Sequence, residues 1–381
     1  KKATMKVALA LLLAAAPAAW AQTHPVIMGA QTMMTGFDMI KGTQNGSKLG
    51  QQLLPVYAFT YNSGKTWTDP FDQQSTFSVP DQVYLTPVDT STELINEGIQ
   101  NSYSQWITTK LSDYNVNLGI KAGNGTKALS LNFKYDHESA FYKNKTQTDD
   151  AASGFSKHEW CKYQLQSLPP ELMGMVLDPG FKMMISILPD SIKSGSDQQK
   201  YNDMVTYYGT HVPYLANFGG HVHVSTFVKK SFLSTHTSSW VKNQFALTFH
   251  YYMFDISGGG FTNKTQIHIS QEFKEAATTY IAYTGGDITL QNNGTLDAWV
   301  KSIPQQPHYL NVTMMDLGTL VEETSATKAA LLRSVIKTYI DTGKMPSATE
   351  SDAHYEAHSA RVLEEAKAAE PAGRKLRGAA H

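Results

Sequence analysis

Tyr208-Gly209-Thr210-His211-Val212, six further residues, and then Gly219-Gly220 form the stretch on which the fold of this chain turns. Upstream of it, Asp197 can cap a helix over 197–208, whose Tyr201, Met204, Val205 and Tyr208 fall on one face at helical spacing. Downstream, a strand is expected over 221–232. The two glycines therefore stand at the start of a strand, where the chain has to bend. Glycine accepts backbone angles and close approaches that no residue with a Cβ accepts, so Gly219 and Gly220 are candidates for a bend or hinge. Tyr208 and His211 read as groups that pack and hydrogen-bond against that bend. Nothing near His211 resembles a nucleophile with its base.

Two blocks of period-two alternation flank this stretch. In the first, Val116, Leu118, Ile120 and Ala122 lead to a Gly123-Asn124-Gly125 turn, after which Leu129, Leu131, Phe133 and Tyr135 alternate with polar residues. A polar run over 136–156 follows, and then a strand candidate from Trp160 to Gln166. In the second block Val241, Phe245, Leu247, Phe249, Tyr251 and Met253 share one parity, opposite Lys242, Gln244, Ala246, Thr248 and His250. Ser257-Gly258-Gly259-Gly260 reads as a turn, and Phe261, Ile267 and Ile269 share a face beyond it. Alternation of this kind predicts strands with one apolar face, here an amphipathic hairpin with a glycine tip. An ordinary half-buried sheet alternates in the same way. The polar stretch 136–152 and Lys274-Glu275-Ala276-Ala277 suit helix or loop as well as strand, so the same residues are compatible with two states.

Outside these blocks, residues 22–115 suggest short strands and loops, with a helix near 92–111. Thr279–Tyr283 reads as a strand ended by Gly285-Gly286. Leu332, Val335, Ile336, Tyr339 and Ile340 predict a helix stopped by Gly343, with Pro346 beyond. Residues 347–381 are rich in Ala, Glu and Arg and read as a solvated helix or tail. The expected organisation is one α+β domain over 22–346, with no internal repeat.

The composition excludes several classes. The chain has 381 residues, 32 Lys plus Arg and 33 Asp plus Glu, for a net charge of -1, so nothing suggests a basic nucleic-acid surface. Hydrophobic residues make up 41%, too many for a disordered chain. The single cysteine, Cys161, allows no intrachain disulfide and no Cys-based zinc site. Lys1, Lys2 and Lys6, the apolar run Val7–Ala19 and Ala19-Trp20-Ala21 make residues 1–21 a secretory signal peptide, with a mature chain expected from Gln22. Sequons occur at Asn45, Asn124, Asn144, Asn263, Asn293 and Asn311, and chance also produces them in a chain rich in Ser, Thr and Asn. His221 and His223 share a strand face and could join His211 as zinc ligands, but such a site needs a defined second shell. His354-Tyr-Glu-Ala-His358 places its Glu one position too late for a metalloprotease. No catalytic site, cofactor or metal is expected.

The stretch from Tyr208 to Gly220 resembles the signature of the membrane attack complex/perforin (MACPF) family: an aromatic residue, Gly, Thr or Ser, His, an aromatic residue, six residues, Gly-Gly. Val212 departs from the second aromatic. Cys161-Lys162-Tyr163-Gln164-Leu165, Leu188-Pro189, and Gly285-Gly286 followed by Trp299-Val300-Lys301-Ser302 resemble further family segments in order, so the likeness covers about residues 80–345. It implies an α+β fold like that of MACPF proteins and cholesterol-dependent cytolysins: a bent four-stranded antiparallel sheet flanked by two helical clusters. In that family the clusters unwind into β-hairpins that enter a membrane as part of an oligomeric barrel. Here the segments would be about 128–160 and 232–272, with the apolar residues named above facing lipid. The partners implied are target-membrane lipids, further copies of the chain in a ring or arc, and a receptor or partner protein. The function the resemblance implies is that of a secreted pore-forming protein; the alternative is a non-lytic secreted adhesion or developmental protein of the same fold.

Overall fold

A computed structural model of the chain describes residues 24–40, 53–70, 75–95, 99–106, 137–169, 172, 176–256, 267–290 and 295–369. The leader, the first alternating block with Leu129, Leu131, Phe133 and Tyr135, the glycine tip with Phe261, and Asn45, Asn124, Asn263 and Asn293 lie outside the described residues.

The described elements run in the following order. Helix α1 (Gly29–Met34) is followed by strands β1 (Thr66–Thr68), β2 (Thr76–Ser78) and β3 (Val83–Ile95). Helix α2 (His137–Gln147) leads into β4 (Ala151–Ser167), then α3 (Pro179–Ile187) and α4 (Gly195–Tyr208). Strand β5 (His211–Lys229) is followed by α5 (Lys230–Leu233), α6 (Ser238–Ile256) and α7 (Gln271–Ala276). The chain continues through β6 (Ala277–Thr284), α8 (Leu296–Ser302), β7 (His308–Asp316), α9 (Leu317–Glu322), α10 (Ala326–Thr342) and α11 (Asp352–Ala369).

β5 organises the sheet. All pairings are antiparallel, in the order β3-β4-β5-β6, with β7 also paired to β5. The first half of β5 pairs with β7, from His211↔Asp316 to Gly219↔His308, and its second half pairs with β6, from His221↔Thr284 to Val228↔Ala277. Among the described strands the large sheet has five members, and because β7 and β6 take successive halves of β5 it is at most four strands wide at any level, as the family resemblance implies. The signature runs from the last residue of α4, Tyr208, into β5, which begins at His211, earlier than the strand expected over 221–232.

The body sits around the first half of β5. α4 and α10 pack there with α1, α3 and α9 in one large apolar cluster that includes Phe37, Phe181, Tyr201, Val205, Phe218, Leu332 and Val335. Local chemistry defines these helices. Ser194 caps α4 through Asp197 N–H, Ser325 caps α10 through Lys328 N–H, and Asp316 caps α9 through Thr319 N–H. α10 ends at Gly343, in the left-handed region at φ 71°, whose N–H bonds the Tyr339 carbonyl as its spacing predicts. The cap of α4 is thus Ser194; Asp197, expected in that role, sits in the first turn and accepts from Lys193 N–H. α11 lays Tyr355 and Ser359 into the body, with the Ser359 hydroxyl accepting from Ile192 N–H.

Three expectations change. Residues 241–253, read as strand, belong to the helix α6. The polar run after 136 holds α2, and β4 begins at Ala151, well before Trp160. β3 continues to Ile95, where a helix was expected from 92. The cause at α6 is spacing. Val241, Phe245, Phe249 and Met253 are four apart, and four is both an even number and about one helical turn, so they line one strand face or one helix face equally well. All four are buried.

Candidate functional site

Four glycines from two distant pairs meet at one level of the sheet, where β5 changes partner. Cys161 of β4 lies opposite Gly219, and the register shifts between Cys161 and Tyr163. A Cβ at Gly219 would stand 1.9 Å from the Trp160 carbonyl oxygen, far inside contact distance. Gly285 and Gly286 turn the chain away from β6 with φ of 75° and 67°. A Cβ on Gly285 would lie 2.5 Å from the Gly219 carbonyl oxygen. Trp299 closes the level, its Nε1–H donating to the Gly285 carbonyl at 3.1 Å, while its ring meets Trp160 edge-on. The glycine pairs, 65 positions apart in the chain (285 minus 220), are thus two sides of one bend.

The start of the signature anchors β5 to the N-terminal segment. Gly209, at φ 80°, ends α4. The Phe37 carbonyl accepts from Thr210 N–H, His211 N–H and the Thr210 hydroxyl at 2.8, 3.1 and 3.1 Å. Met39 N–H donates to Thr210 Oγ1 at 3.1 Å, and His211 Nδ1 lies 2.9 Å from the same oxygen. A hydroxyl has one hydrogen, here given to Phe37, so His211 carries its proton on Nδ1 and donates. Burial pushes the His211 imidazole down to about 4, against the opposing pull of Asp316. Burial, with Asp178 nearby, pushes the Tyr208 phenol up to about 12, and its ring meets Phe181 edge-on. Val212, where the signature has an aromatic, is fully buried.

The sheet beyond the bend carries a helical segment on each face. On one face Tyr142 of α2 donates from its hydroxyl to Ser225 Oγ at 2.6 Å and packs with Trp106, Ala151 and Phe227. On the other, Phe249 and Met253 of α6 pack on Val222, Val224 and Trp299, while Val241 and Phe245 pack on Val228 and Phe273. Ser225 and Phe227 alternate with Val222, Val224 and Val228 along β5, so the two helices lie on opposite faces. Gly154 is what lets α6 approach, since a Cβ there would stand 2.4 Å from Phe245 Cγ. The sequence places Ala151–Gly154 in a polar run with no strand pattern; small residues in a strand covered on both faces give little pattern of their own. Leu247 and Tyr251 are half-buried on α6, and Ile267 and Ile269 are half-buried outside any helix or strand.

The remaining sequence candidates separate. His221 and His223 adjoin, with ring centroids 5.6 Å apart. His211 is ten residues up the same strand, about 33 Å of extended chain, so the three do not converge. Asn144 is exposed on α2 and Asn311 is exposed on β7.

A family profile described as the MAC/Perforin domain matches residues 27–349. Among solved structures, GNIP1Aa from Chromobacterium piscinae is similar at a TM-score of 0.57 and 14% identity, over 85% of this chain and 57% of that one. A putative cell invasion protein with a MAC/Perforin domain from Bacteroides thetaiotaomicron gives 0.48 and 11%, over 83% and 61%. Astrotactin-2, a perforin-like membrane protein involved in neuronal development in vertebrates, gives 0.41 and 12%, over 82% and 98%. The chain spans less than two thirds of the first two, and the likeness to GNIP1Aa concerns fold alone. None of the curated proteins matches this sequence.

Proposed function

The chain belongs to the MAC/Perforin family, and on that footing we propose that it is a secreted pore-forming protein. It assembles on a target membrane and inserts two amphipathic hairpins per subunit, from about 128–160 and 232–272. One observation carries the reading. Each segment is entered or left through two strands that already pair with each other as antiparallel neighbours. The first begins between β3 and β4, joined to Ile95↔Ser156, and its last ten residues, 151–160, are already β4; the second lies between β5 and β6, joined to Val228↔Ala277. Straightening either segment lengthens an existing hairpin and needs no change of topology. α5 starts on the residue after β5 ends, and β6 starts on the residue after α7 ends, so no linker has to be traversed.

The chemistry of α6 fits both states. Its buried stripe of Val241, Phe245, Phe249 and Met253 keeps one parity, so the face now on the sheet becomes one face of a strand, with Leu247 and Tyr251 joining it. The segment 232–272 supplies about 20 residues per strand, twice the 9 to 11 that a tilted barrel strand needs to cross a bilayer. Unpaired backbone groups cost several kcal/mol each in hydrocarbon, so neighbouring copies have to close the edges and a lone subunit does not insert. The four-glycine level serves as the hinge: the sheet flattens there when the helical segments leave it.

The full mature chain, added to dye-loaded liposomes of varied lipid composition, releases the dye and leaves rings or arcs in electron micrographs. A disulfide engineered between α6 and β4 blocks release until it is reduced. Folded protein that releases no dye from any composition and forms no rings overturns the reading in favour of a non-lytic adhesion or developmental role. Glycans found on both Asn144 and Asn263 of the mature protein count against insertion of these segments, since a glycan does not cross hydrocarbon. Export is checked by N-terminal sequencing of the secreted form, expected to begin at Gln22.

A further inference from the structure

The bend also opens a trough across the sheet. Pairing shifts register between Pro87 and Thr90 on β3, between Cys161 and Tyr163 on β4, and between Asn217 and Phe218 on β5. These irregularities lie side by side on successive strands and leave a cavity of about 300 Å³ reaching from β3 to β7. Glu159, Gln164 and Asn217 are its half-buried floor, and Thr90, Thr92 and Asn311 its exposed rim. Bulges are over-represented beside functional sites because they re-aim side chains.

The lining selects the ligand by exclusion. An anionic headgroup is disfavoured: among the described residues no Lys, Arg or His lines the trough, Glu159 is acidic, and the nearby Lys157 and Lys162 pair with Glu159 at 2.7 Å and Asp89 at 2.9 Å. Among the described residues no aromatic ring lines it, which disfavours a quaternary ammonium group. Among the described residues no three His, Cys, Asp or Glu side chains are grouped to hold a metal. The volume lies at the small end of ligand pockets, enough for one ring and too little for a lipid tail or an oligomer. What remains is a small neutral molecule dense in hydroxyls.

We propose that this trough is a binding site for a single neutral sugar residue. Gln164 Nε2–H donates to Asn217 Oδ1 at 2.8 Å, which orients both amides and leaves each with further donor and acceptor capacity. Side by side, the pair matches two vicinal hydroxyls. The Glu159 carboxylate accepts from a third, Thr90 and Thr92 serve either role at the rim, and Leu310 offers apolar contact to a C–H face of the ring. A sugar seated there bridges β3 to β7 beside Gly219, so occupancy and the straightening of the bend are coupled. The coupling rests on the pore-forming reading; the binding does not.

The test is calorimetry on the soluble full-length chain made in bacteria, so that Asn311 carries no glycan, with D-galactose, D-mannose and N-acetylglucosamine. At least one sugar binds 1:1 and saturably, with a Kd of about 1 mM for so few atoms. Gln164→Leu and Asn217→Leu weaken it at least about tenfold, since unpaired polar groups are then left facing the ligand. Thr92→Val, on the exposed rim, weakens it with folding untouched, and Lys301→Ala on α8 leaves it unchanged. No saturable binding by any of the three sugars, or wild-type affinity in both Gln164→Leu and Thr92→Val, overturns the proposal. Vesicles with and without galactosylceramide distinguish the source. Capture that free galactose competes away assigns the site to a lipid headgroup; binding of free sugar without capture assigns it to soluble or protein-linked glycans, and both uphold the site. Because binding is read on the monomer, its failure leaves pore formation standing, and a lack of dye release leaves the site standing.

Discussion

α6 and α10 are both amphipathic helices of similar length, yet the sequence announces α10 as helix and α6 as strand. In α10 the buried residues Leu332, Val335, Ile336, Tyr339 and Ile340 mix spacings of three and four. A spacing of three changes parity, so no strand could put them on one face. In α6 the apolar stripe uses spacings of four alone, and two of its four residues are aromatic. The surroundings differ in the same sense. α10 is part of the large body cluster, whereas α6 and α2 are held by small separate clusters on opposite faces of the sheet. The α10 spacing suits one structure, whereas the α6 stripe suits one face of a helix or of a strand, and the clusters that hold α6 and α2 are smaller than that of the body.

The comparison is most severely tested at the bend that joins the two regions. Gly219→Val puts a side chain 1.9 Å from a backbone oxygen, and neighbouring strands cannot give way that far. The expected outcome is no monodisperse soluble monomer on size exclusion. Were Gly219 and Gly220 a hinge and nothing more, valine at both would leave the protein foldable and block only its conversion; the close approach of Trp160 to Gly219 changes that expectation. A folded, exchange-protected Gly219→Val protein would show that the sheet can bend without this contact.

Leu332→Ala and Phe249→Ala compare the regions directly. Truncating Leu332 in the body costs about 3 kcal/mol of global stability, read as a fall in the urea midpoint. Truncating Phe249 removes at least as much buried surface, but its effect is confined to faster amide exchange in α6, with the main transition little moved. If both variants shift the whole molecule together, the segments are not separate units.

pH probes the body through His211. Burial holds folded His211 down at about 4, against an ordinary value of about 6.5. Between those values the unfolded chain binds a proton that the folded chain does not, so stability is complete above pH 6.5 and falls as pH drops toward 4. The loss is about 3 kcal/mol over that window. Denaturation midpoints at pH 7 and 4.5 measure it, and His211→Gln flattens the slope. An unchanged slope in that variant assigns the effect to another group.

The smallest expected effect lies at the rim of α6. His250 Nδ1 sits 3.3 Å from Glu93 Oε1 with side chains 42% and 38% exposed, and such a pair contributes at most about 0.5 kcal/mol. Glu93→Gln therefore barely alters amide exchange in α6. A large change there would mean that a charge contact, and not the apolar stripe, holds the segment.

Much of this molecule was legible because local chemistry is explicit in it. The helix before the signature, the α10 stop at Gly343, and Gly285-Gly286 as the end of a strand all follow from spacing, caps and positive φ. The resemblance placed the sheet and the bend. The trough was not legible, because register shifts on β3, β4 and β5 become a cavity only when the strands lie side by side. Gly154 was not legible, because its meaning is the ring of Phe245, 91 residues away (245 minus 154). The meeting of Gly219 with Gly285 was hidden for the same reason. By itself the sequence determined which residues share a face, since spacing and parity are properties of the chain. Whether Val241, Phe245, Phe249 and Met253 form a helix face or a strand face was decided by tertiary structure alone, because a spacing of four satisfies both and only the surface they pack against selects one.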